Sequence, residues 1–298
     1  MHNINKILVV STSIEKKLLE KKIVDKISNI LKSSPNILWE NVSAEFKLDP
    51  SFTSNDLDEL KFCFKNINID MNLIQLKPQS NRRKKLLIAD MDSTILCSET
   101  LDDLAILIGK IEQIKNITKD AMDGKINFIS SLVERVRVLK DTNEKYLVQI
   151  KNNLKYNPGA KELISTMKKN GSICALCTGG FYYIANEVKS ALGFNYVQAN
   201  TLEIRNGYIT GNLIKPIFNE NSKKEFLIHL VDKFKLSLEN TCSIGDGAND
   251  IEMNKLSSLG VSFKGKKILR DNSKYILDHS DLTGLLFLQG YSKSEIQQ

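Results

Sequence analysis

The fold class is indicated most clearly by residues 86–94, Leu86-Leu87-Ile88-Ala89-Asp90-Met91-Asp92-Ser93-Thr94. Four consecutive apolar residues are typical of a short strand that is buried on both faces of a parallel sheet. This predicted strand leads directly into two carboxylates that are one residue apart. Open α/β sheets bind ligands at the carboxyl ends of their strands. Asp90 and Asp92 are therefore candidate catalytic residues, with alternation placing both on one side.

Two further apolar runs also end in polar loops. Residues 173–177 lead into Thr178-Gly179-Gly180, where a hydroxyl and glycine amides precede a helical pattern at residues 182–192. This arrangement predicts an anion cradle at a helix N-terminus. Residues 242–244 lead into Gly-Asp-Gly-Ala-Asn-Asp at 245–250. Asp246 and Asp250 then face one pocket, which predicts a site for a hard cation such as Mg²⁺.

A lysine adds a positive charge to this set. Ser222 and Glu225 form a capping-box pattern, which places Lys223 in the first turn of a helix. A cation there opposes the helix dipole, so we expect an anionic partner for it. All four motifs together favour phosphoryl transfer, in which one carboxylate attacks phosphorus and the other handles the proton of the leaving oxygen. Because a carboxylate and a phosphate repel each other, this chemistry requires a nearby metal ion.

Composition and charge argue against a nucleic-acid-binding protein, a membrane protein and a disulfide-rich secreted protein. The chain has 298 residues and a formal charge of +7, but its lysines are spread along its whole length. The one dense basic cluster, at residues 82–85, has no aromatic residues among it, so we interpret it as a solvated linker and expect no nucleic-acid partner. No apolar run is long enough to cross a membrane, and the N-terminus shows no apolar segment followed by a small-residue cleavage site, so we expect a cytoplasmic location. The chain has five cysteines, an odd number scattered along its length, which predicts reduced thiols.

One cysteine pair and the histidines are assigned no chemistry. Cys174 and Cys177 lie on a predicted buried strand, where alternation points their thiols to opposite faces, so we expect them to pack in the core. The three histidines lie outside every motif, which disfavours histidine-based catalysis.

The four motifs resemble those of the haloacid dehalogenase superfamily and, more narrowly, of the phosphoserine phosphatases within it, over about residues 85–290. The resemblance implies Mg²⁺-dependent hydrolysis of O-phosphoserine to serine and phosphate, the last step of serine biosynthesis, through a phospho-aspartate on Asp90. It assigns Asp92 as general acid and then general base. It implies the following ligand sets: Thr178, Gly179, Lys223 and Asn249 for the substrate, and the side chains of Asp90 and Asp246 with the backbone carbonyl of Asp92 for the metal, supported by Asp250.

The sequence predicts an α/β fold, in which a Rossmann-like parallel sheet core carries an inserted helical cap. Residues 85–298 form this phosphatase domain, and the cap covers about residues 99–155, a helix-patterned segment too long for one crossover. Residues 1–80 form a small α+β domain, ahead of a linker near residues 77–84. The strands predicted in this small domain are 6–10, 37–48 and 67–76, and its predicted helices are 14–31 and 56–64.

The cap carries the residues that bear on substrate choice. Phe128 and Arg135 fall on one helical face with Leu132, so that Arg135 borders an apolar stripe and needs a partner. A substrate carboxylate is one candidate. The resemblance assigns Arg135 to that carboxylate, Glu99 to the substrate ammonium, and Met122 and Phe128 to an apolar pocket. The residues alone leave two other interpretations open: Glu99 favours a helix N-terminus, and Arg135 snorkels to solvent.

The sequence departs from the family pattern in two places, and it leaves three other functions open. Thr178 stands where serine is more common, which keeps the hydroxyl but adds a methyl group. The small N-terminal domain shows no motif for an effector. The rival functions are a related phosphotransferase, a phosphatase of another small metabolite, and an amino-acid-sensing binding protein that uses residues 1–76.

Overall fold

The first part of the chain forms a four-stranded antiparallel sheet. The structure is a computed structural model that describes residues 5–78, 80–219 and 221–297, except for the side chain of Met122. The strand order is β2-β3-β1-β4, and the strands are β1 (Asn5–Ser11), β2 (Pro35–Trp39), β3 (Ser43–Leu48) and β4 (Asp70–Leu76). Helices α1 (Lys21–Leu31) and α2 (Ser54–Cys63) pack against the face of this sheet that carries Leu8 and Val10.

Two element predictions for this region were wrong. The strand predicted at 37–48 is a hairpin of β2 and β3, and Asn41 in its turn adopts a left-handed conformation with φ of 60°. The helix predicted from residue 14 begins only at Lys21. Leu19 instead pairs with Asn41 in an isolated antiparallel bridge. A residue whose backbone is extended in a bridge cannot also be helical, so the helix starts after it.

The second part forms a seven-stranded sheet in the order β11-β10-β9-β5-β6-β7-β8. Its strands are β5 (Leu86–Ala89), β6 (Ile173–Phe181), β7 (Tyr196–Arg205), β8 (Tyr208–Ile214), β9 (Thr241–Gly245), β10 (Leu259–Phe263) and β11 (Tyr275–Leu277). All neighbouring strands are parallel except β7 and β8. The predicted parallel α/β core is thus confirmed, and the strand that leads into Asp90 lies at its centre.

Helices surround this sheet. They are α3 (Thr100–Leu107), α4 (Ile111–Met122), α5 (Phe128–Val138), α6 (Lys145–Asn152), α7 (Ala160–Lys169), α8 (Tyr182–Leu192), α9 (Ser222–Lys233), α10 (Ile251–Leu256), α11 (Lys267–Asp271) and α12 (Gly284–Leu288). The first five lie between β5 and β6, and the first four of these fall within the predicted cap segment, which confirms an inserted helical cap; its exact bounds stay a prediction. Among the helices of the described ranges, none combines the length and apolar character that a membrane crossing demands.

The central strands are buried on both faces, as their apolar runs predict. Leu87 and Cys174 belong to one apolar cluster, whereas Leu86 and Cys177 belong to the cluster on the other face together with Leu227 of α9. The two thiols therefore lie on opposite sides of β6, which agrees with their predicted packing role. The rigid sheet fixes where its strands end, and this positions the residues that follow them.

Polar contacts join the two sheets. The carboxylate of Asp70 accepts hydrogen bonds from the backbone amides of residues 278–280, at 2.8–3.1 Å. The side-chain amide of Asn72 donates to the carbonyl of Ile276 and accepts from its amide, both at 2.9 Å. An edge-to-face contact of Trp39 with Phe287 of α12 adds apolar area between them.

The basic cluster at residues 82–85 is part of this junction, so the prediction of a solvated linker was wrong. Arg82 forms an ion pair with Glu45 at 2.6 Å and donates to the carbonyl of Leu288. Lys84 is 7% exposed and donates to the carbonyls of residues 81 and 239. Carbonyls and two carboxylates, those of Glu45 and Glu295, thus compensate the cations of this cluster, and only Lys85 of the four is exposed.

Candidate active site

Two neighbouring strands bring the acidic motifs together. Strand β5 ends before Asp90, and the adjacent strand β9 ends before Asp246. One carboxylate oxygen from each of Asp90, Asp246 and Asp250 lies within 4.8 Å of the other two, and all three residues are buried. A cluster of carboxylate oxygens suits a hard divalent cation. Burial raises the pKa of Asp246, and Lys266 partly offsets this effect.

A tight turn holds Asp250 in place. Its Oδ2 accepts hydrogen bonds from the amides of Asp246 at 3.1 Å and of Gly247 at 3.0 Å. A β-carbon at position 245 would overlap the carboxylate of Asp250, so the close approach requires glycine there. The Gly-Asp-Gly sequence therefore lets a buried carboxylate fold back against its own strand end.

Lys223 connects two of these carboxylates. Its Nζ lies 2.7 Å from Oδ1 of Asp90 and 2.6 Å from Oδ1 of Asp250. Burial alone would lower the pKa of Lys223, but Asp250 and Asp90 raise it above its ordinary value. Burial and the charge of Asp250 raise the pKa of Asp90, while Lys223 opposes that rise. The sequence predicted an anionic partner for this lysine, and the structure provides two, the carboxylates of Asp90 and Asp250.

The start of helix α9 differs from the predicted capping box. The helix begins at Ser222 itself, and Lys223 is in its first turn as predicted. The hydroxyl of Ser222 accepts a hydrogen bond from the amide of Asn219 at 2.9 Å, so it serves the preceding turn and not the third helical amide. The capping-box prediction was therefore wrong, although its consequence for Lys223 is confirmed.

Asp92 has partners different from those of Asp90. The backbone turns sharply after β5, and Ser93 adopts a left-handed conformation with φ of 55°. Oδ1 of Asp92 accepts from the amide of Thr100 at 2.9 Å, and Oδ2 accepts from the hydroxyl of Thr178 at 3.2 Å. Burial, followed by the charge of Glu99, raises the pKa of Asp92 to about 6. A raised pKa suits a carboxyl group that must donate a proton near neutral pH.

The predicted anion cradle lies beside Asp92. The amide of Gly180 donates to Oγ1 of Thr178 at 2.8 Å, and Thr178 is buried. A β-carbon on Gly180 would lie 2.8 Å from Oδ2 of Asp92, so a side chain there would displace the carboxylate. Helix α8 begins at Tyr182, where the sequence pattern predicted it. Its N-terminus and the threonine hydroxyl face the same strand edge as Asp90.

Helix α5 of the cap leans over the cradle. The Cζ atom of Phe128 lies 3.5 Å from the point that a β-carbon on Gly179 would occupy. Arg135 lies two turns further along the same helix face. Its Nε donates to the carbonyl of Ser131 at 3.3 Å. Burial lowers the pKa of Arg135, and the charges of Asp102, Glu99 and Asp92 act in the opposite direction. In the described part of the chain, its guanidinium forms no ion pair within 4.0 Å.

The remaining predicted residues differ in how closely they approach this group. Glu99 occupies the position before the first residue of α3, makes no capping hydrogen bond, and accepts from the hydroxyl of Ser93 at 2.8 Å. Asn249 is half-buried, with its Oδ1 2.7 Å from the point that a β-carbon on Gly247 would occupy. The side chain of Met122 lies outside what the structure describes.

Lys266 is a site residue that the sequence motifs did not predict. Its Nζ lies 3.4 Å from Oδ2 of Asp246 and 3.9 Å from Oε1 of Glu99. Its backbone amide also donates to the carbonyl of Asp246 at 2.8 Å. One sequence signal could have identified it: Lys266 follows shortly after the apolar run of β10. Because β10 lies parallel to β9, the loops after both strands reach the same edge of the sheet.

Comparison with known proteins identifies the family. A family model described as a haloacid dehalogenase-like hydrolase matches residues 84–257, which include the strands and loops that carry the site. The chain is a haloacid dehalogenase-like hydrolase. A phosphoserine phosphatase from Methanocaldococcus jannaschii is 37% identical over 205 residues, which are 69% of this chain and 97% of that protein.

Solved structures agree with this assignment. A haloacid dehalogenase family hydrolase from Salmonella enterica serovar Typhi, 25% identical, superposes with a TM-score of 0.84 over 97% of this chain and 99% of that chain. A phosphoserine phosphatase solved as a phospho-aspartyl intermediate analogue is 37% identical, with a TM-score of 0.65 over 69% of this chain and 98% of that chain. The family, the fold class and a phosphatase activity are thereby confirmed, and the acidic cluster fits the divalent metal that such phosphatases use.

Proposed function

We propose that this haloacid dehalogenase-like hydrolase converts O-phosphoserine to serine and phosphate through a phospho-aspartate on Asp90. The observation that carries the proposal is a pair of opposite charges near Asp92, since the charges of Glu99 and Arg135 both act on the electrostatics of this carboxylate. Glu99 and Arg135 are the groups that an amino-acid ammonium and carboxylate require, and Phe128 of the same cap helix lies against the cradle. Relatives named phosphoserine phosphatase support the same substrate.

In the first half of the reaction, an Asp90 oxygen attacks phosphorus and the bond from phosphorus to the serine oxygen breaks. Asp92 gives its proton to that oxygen, for which its pKa of about 6 is suited. Lys223, Thr178 and the amides of the cradle stabilise charge on the phosphoryl oxygens. In the second half, the Asp92 carboxylate takes a proton from water, which attacks phosphorus and releases phosphate from Asp90.

We assign Mg²⁺ as the metal ion. Its ligands in this proposal are the side chains of Asp90 and Asp246 and the backbone carbonyl of Asp92, with Asp250 in support. Oxygen-only ligands and compact geometry favour Mg²⁺ over softer ions. When bound, the ion neutralises the repulsion between the phosphate and Asp90. Lys223 supplies part of the same compensation from within the chain, since it lies between Asp90 and Asp250.

Three further residues complete the proposed substrate site. Asn249 and Gly179 contribute to phosphate binding, and Met122 contributes to the apolar wall beside Phe128.

Residues 1–80 and 85–298 act as separate domains, and residues 99–155 act as the cap. Five free thiols support a reducing compartment, the cytoplasm.

A panel of phosphomonoesters tests the substrate assignment. With Mg²⁺ present, we expect kcat/KM for O-phosphoserine to exceed that for phosphoethanolamine, which lacks the carboxylate, and for phosphoglycolate, which lacks the ammonium. A higher kcat/KM for either truncated ester would contradict the assignment. Addition of an acceptor alcohol should leave phosphate as the main product, which distinguishes hydrolysis from phosphotransfer.

A further inference from the structure

The strand that carries the phosphate cradle is distorted at the cradle itself. In the β6–β7 ladder, Cys177 pairs with Gln198 and Phe181 pairs with Asn200, with a register shift between these pairs. Residues 178–180 of β6 thus face only Ala199 of β7. The extra residues bulge out of the ladder, which turns the cradle toward the ligand edge but removes its regular backbone partners. A carbonyl that loses its ladder partner in such a bulge needs another donor where water does not reach it.

Asn200 supplies that donor. Its Nδ2 donates to the carbonyl of Gly179 at 2.9 Å, and its side chain is fully buried. Its Oδ1 accepts from the backbone amide of Phe218, also at 2.9 Å. A carbonyl can only accept and an amide N–H can only donate, so these two neighbours dictate the orientation of the side-chain amide.

The hydrogen bond from Phe218 connects Asn200 to the segment that precedes Lys223. Phe218 precedes Asn219, whose amide donates to the hydroxyl of Ser222, the first residue of α9. Lys223 follows directly and contacts Asp90. One buried side chain therefore bridges the backbone of the cradle on β6 and the segment that leads into α9 and Lys223. The cradle and Lys223 are the two elements proposed to hold the phosphoryl group.

We propose that Asn200 is a positioning residue that fixes the distance between the phosphate cradle and Lys223. The inference rests on the proposed function, because it concerns binding of the phosphoryl group at this site. Without Asn200, the Gly179 carbonyl loses its partner inside the bulge and the 218–222 segment loses its anchor. The cradle and Lys223 can then no longer hold one phosphate at the same time in the correct geometry.

Removal of the Asn200 side chain tests this role directly. We expect Asn200→Ala to raise the inhibition constant of inorganic phosphate and to lower kcat, each by about tenfold, the usual scale for one buried hydrogen bond. Asn200→Ser, whose single hydroxyl is too short to serve both backbone groups, should show the same direction with a smaller change. Wild-type values of both constants in a folded Asn200→Ala protein would overturn the proposal.

Asn72 offers a matched control for a purely structural effect. It is 3% exposed and bridges a carbonyl and an amide with the same 2.9 Å distances, but at the junction of the two sheets. Asn72→Ala should lose a similar free energy of unfolding yet keep phosphate inhibition and kcat within about twofold of wild type. If Asn72→Ala changes both constants as Asn200→Ala does, Asn200 has no special role in the site.

A measurement on the wild-type protein covers the case in which the Asn200 variants do not fold. Saturation with inorganic phosphate and Mg²⁺ should slow amide hydrogen exchange in residues 177–181 and, through Asn200, in residues 215–219 together. Slower exchange in the first segment alone would overturn the proposal. Failure of the wild-type enzyme to hydrolyse any phosphomonoester would instead contradict the proposed function, so the two failures are distinguishable.

Discussion

The Lys223 ammonium lies 2.7 Å from Oδ1 of Asp90 and 2.6 Å from Oδ1 of Asp250, with all three side chains buried. Two carboxylates share one cation in a region with little water. Removing one member of such a buried group leaves charge without compensation, which is more damaging than loss of an exposed pair. We therefore expect this lysine to affect both folding and, in the proposed function, the binding of the phosphoryl group.

Lys223→Met should destabilise the metal-free protein by about 3 kcal/mol or more, since Asp90 and Asp250 then repel each other. Millimolar Mg²⁺ should recover part of this loss, because the ion takes over the compensation of the carboxylates. Urea unfolding with and without Mg²⁺ measures both effects. Lys224→Met is the control, because the side chain of that lysine is 40% exposed and lies 3.8 Å from Glu252. Equal unfolding midpoints for the two variants would contradict the account.

Asp92→Asn should slow hydrolysis of O-phosphoserine by about a hundredfold, because the serine oxygen leaves poorly without a proton. An aryl phosphate, whose leaving group is far less basic, should lose much less in formation of the phospho-aspartate. Pre-steady-state release of the aryl alcohol isolates that step from the later attack of water. A burst that is slowed as strongly as phosphoserine turnover would show that Asp92 does not act as the general acid.

The site was predictable where buried strands end in polar loops. The apolar runs of β5, β6 and β9 have no polar residue facing solvent, and this pattern identified a parallel sheet with ligands at one edge. From the adjacency of these strands, Asp90, Thr178 and Asp246 had to converge. The sequence also predicted that the partner of Lys223 is an anion, because a cation at a helix N-terminus requires one.

Other features depend on long-range packing that a local pattern does not contain. Asn200 follows an unremarkable alanine, and its role depends on a register shift between two strands. Lys266 resembles any surface lysine until β10 is known to lie next to β9. The Arg82 cluster looked solvated because its partners, such as Glu45, are distant in sequence. The hairpin at Asn41 was missed since a left-handed asparagine carries a weak turn signal.

Asp246→Asn should weaken divalent metal binding by at least about tenfold while leaving the metal-free protein as stable as wild type. Burial raises the pKa of Asp246, which means that its charged form is already unfavourable in the fold, and a neutral amide removes that burden. Titration calorimetry with Mg²⁺ measures the affinity. Asp271→Asn makes the same charge change at an exposed residue paired with Lys267 and should bind metal normally. Unchanged affinity in Asp246→Asn would remove this residue from the metal site.

The five cysteines should separate into two reactivity classes. Cys63 and Cys97 are exposed, whereas burial raises the pKa of Cys174 and Cys177 to about 12 and also raises that of Cys242. At neutral pH the buried thiols then contain almost no thiolate, the form that reacts with iodoacetamide. Intact mass after brief treatment of the native protein should show two modifications, and five after unfolding. Rapid native alkylation of Cys177 would contradict the packing described for β6.

Whether Arg135 selects O-phosphoserine through its carboxylate is tested by kcat/KM values of Arg135→Ala and Arg137→Ala on two substrates. Both residues belong to α5, but Arg137 is exposed and serves as the control. If Arg135 binds the phosphoserine carboxylate, its removal should lower kcat/KM for O-phosphoserine by at least about a hundredfold, because the desolvated carboxylate loses its partner. Phosphoethanolamine lacks that carboxylate, so its kcat/KM should change far less, and Arg137→Ala should resemble wild type on both substrates. Equal losses on both substrates in a folded Arg135→Ala enzyme would contradict the assignment of phosphoserine.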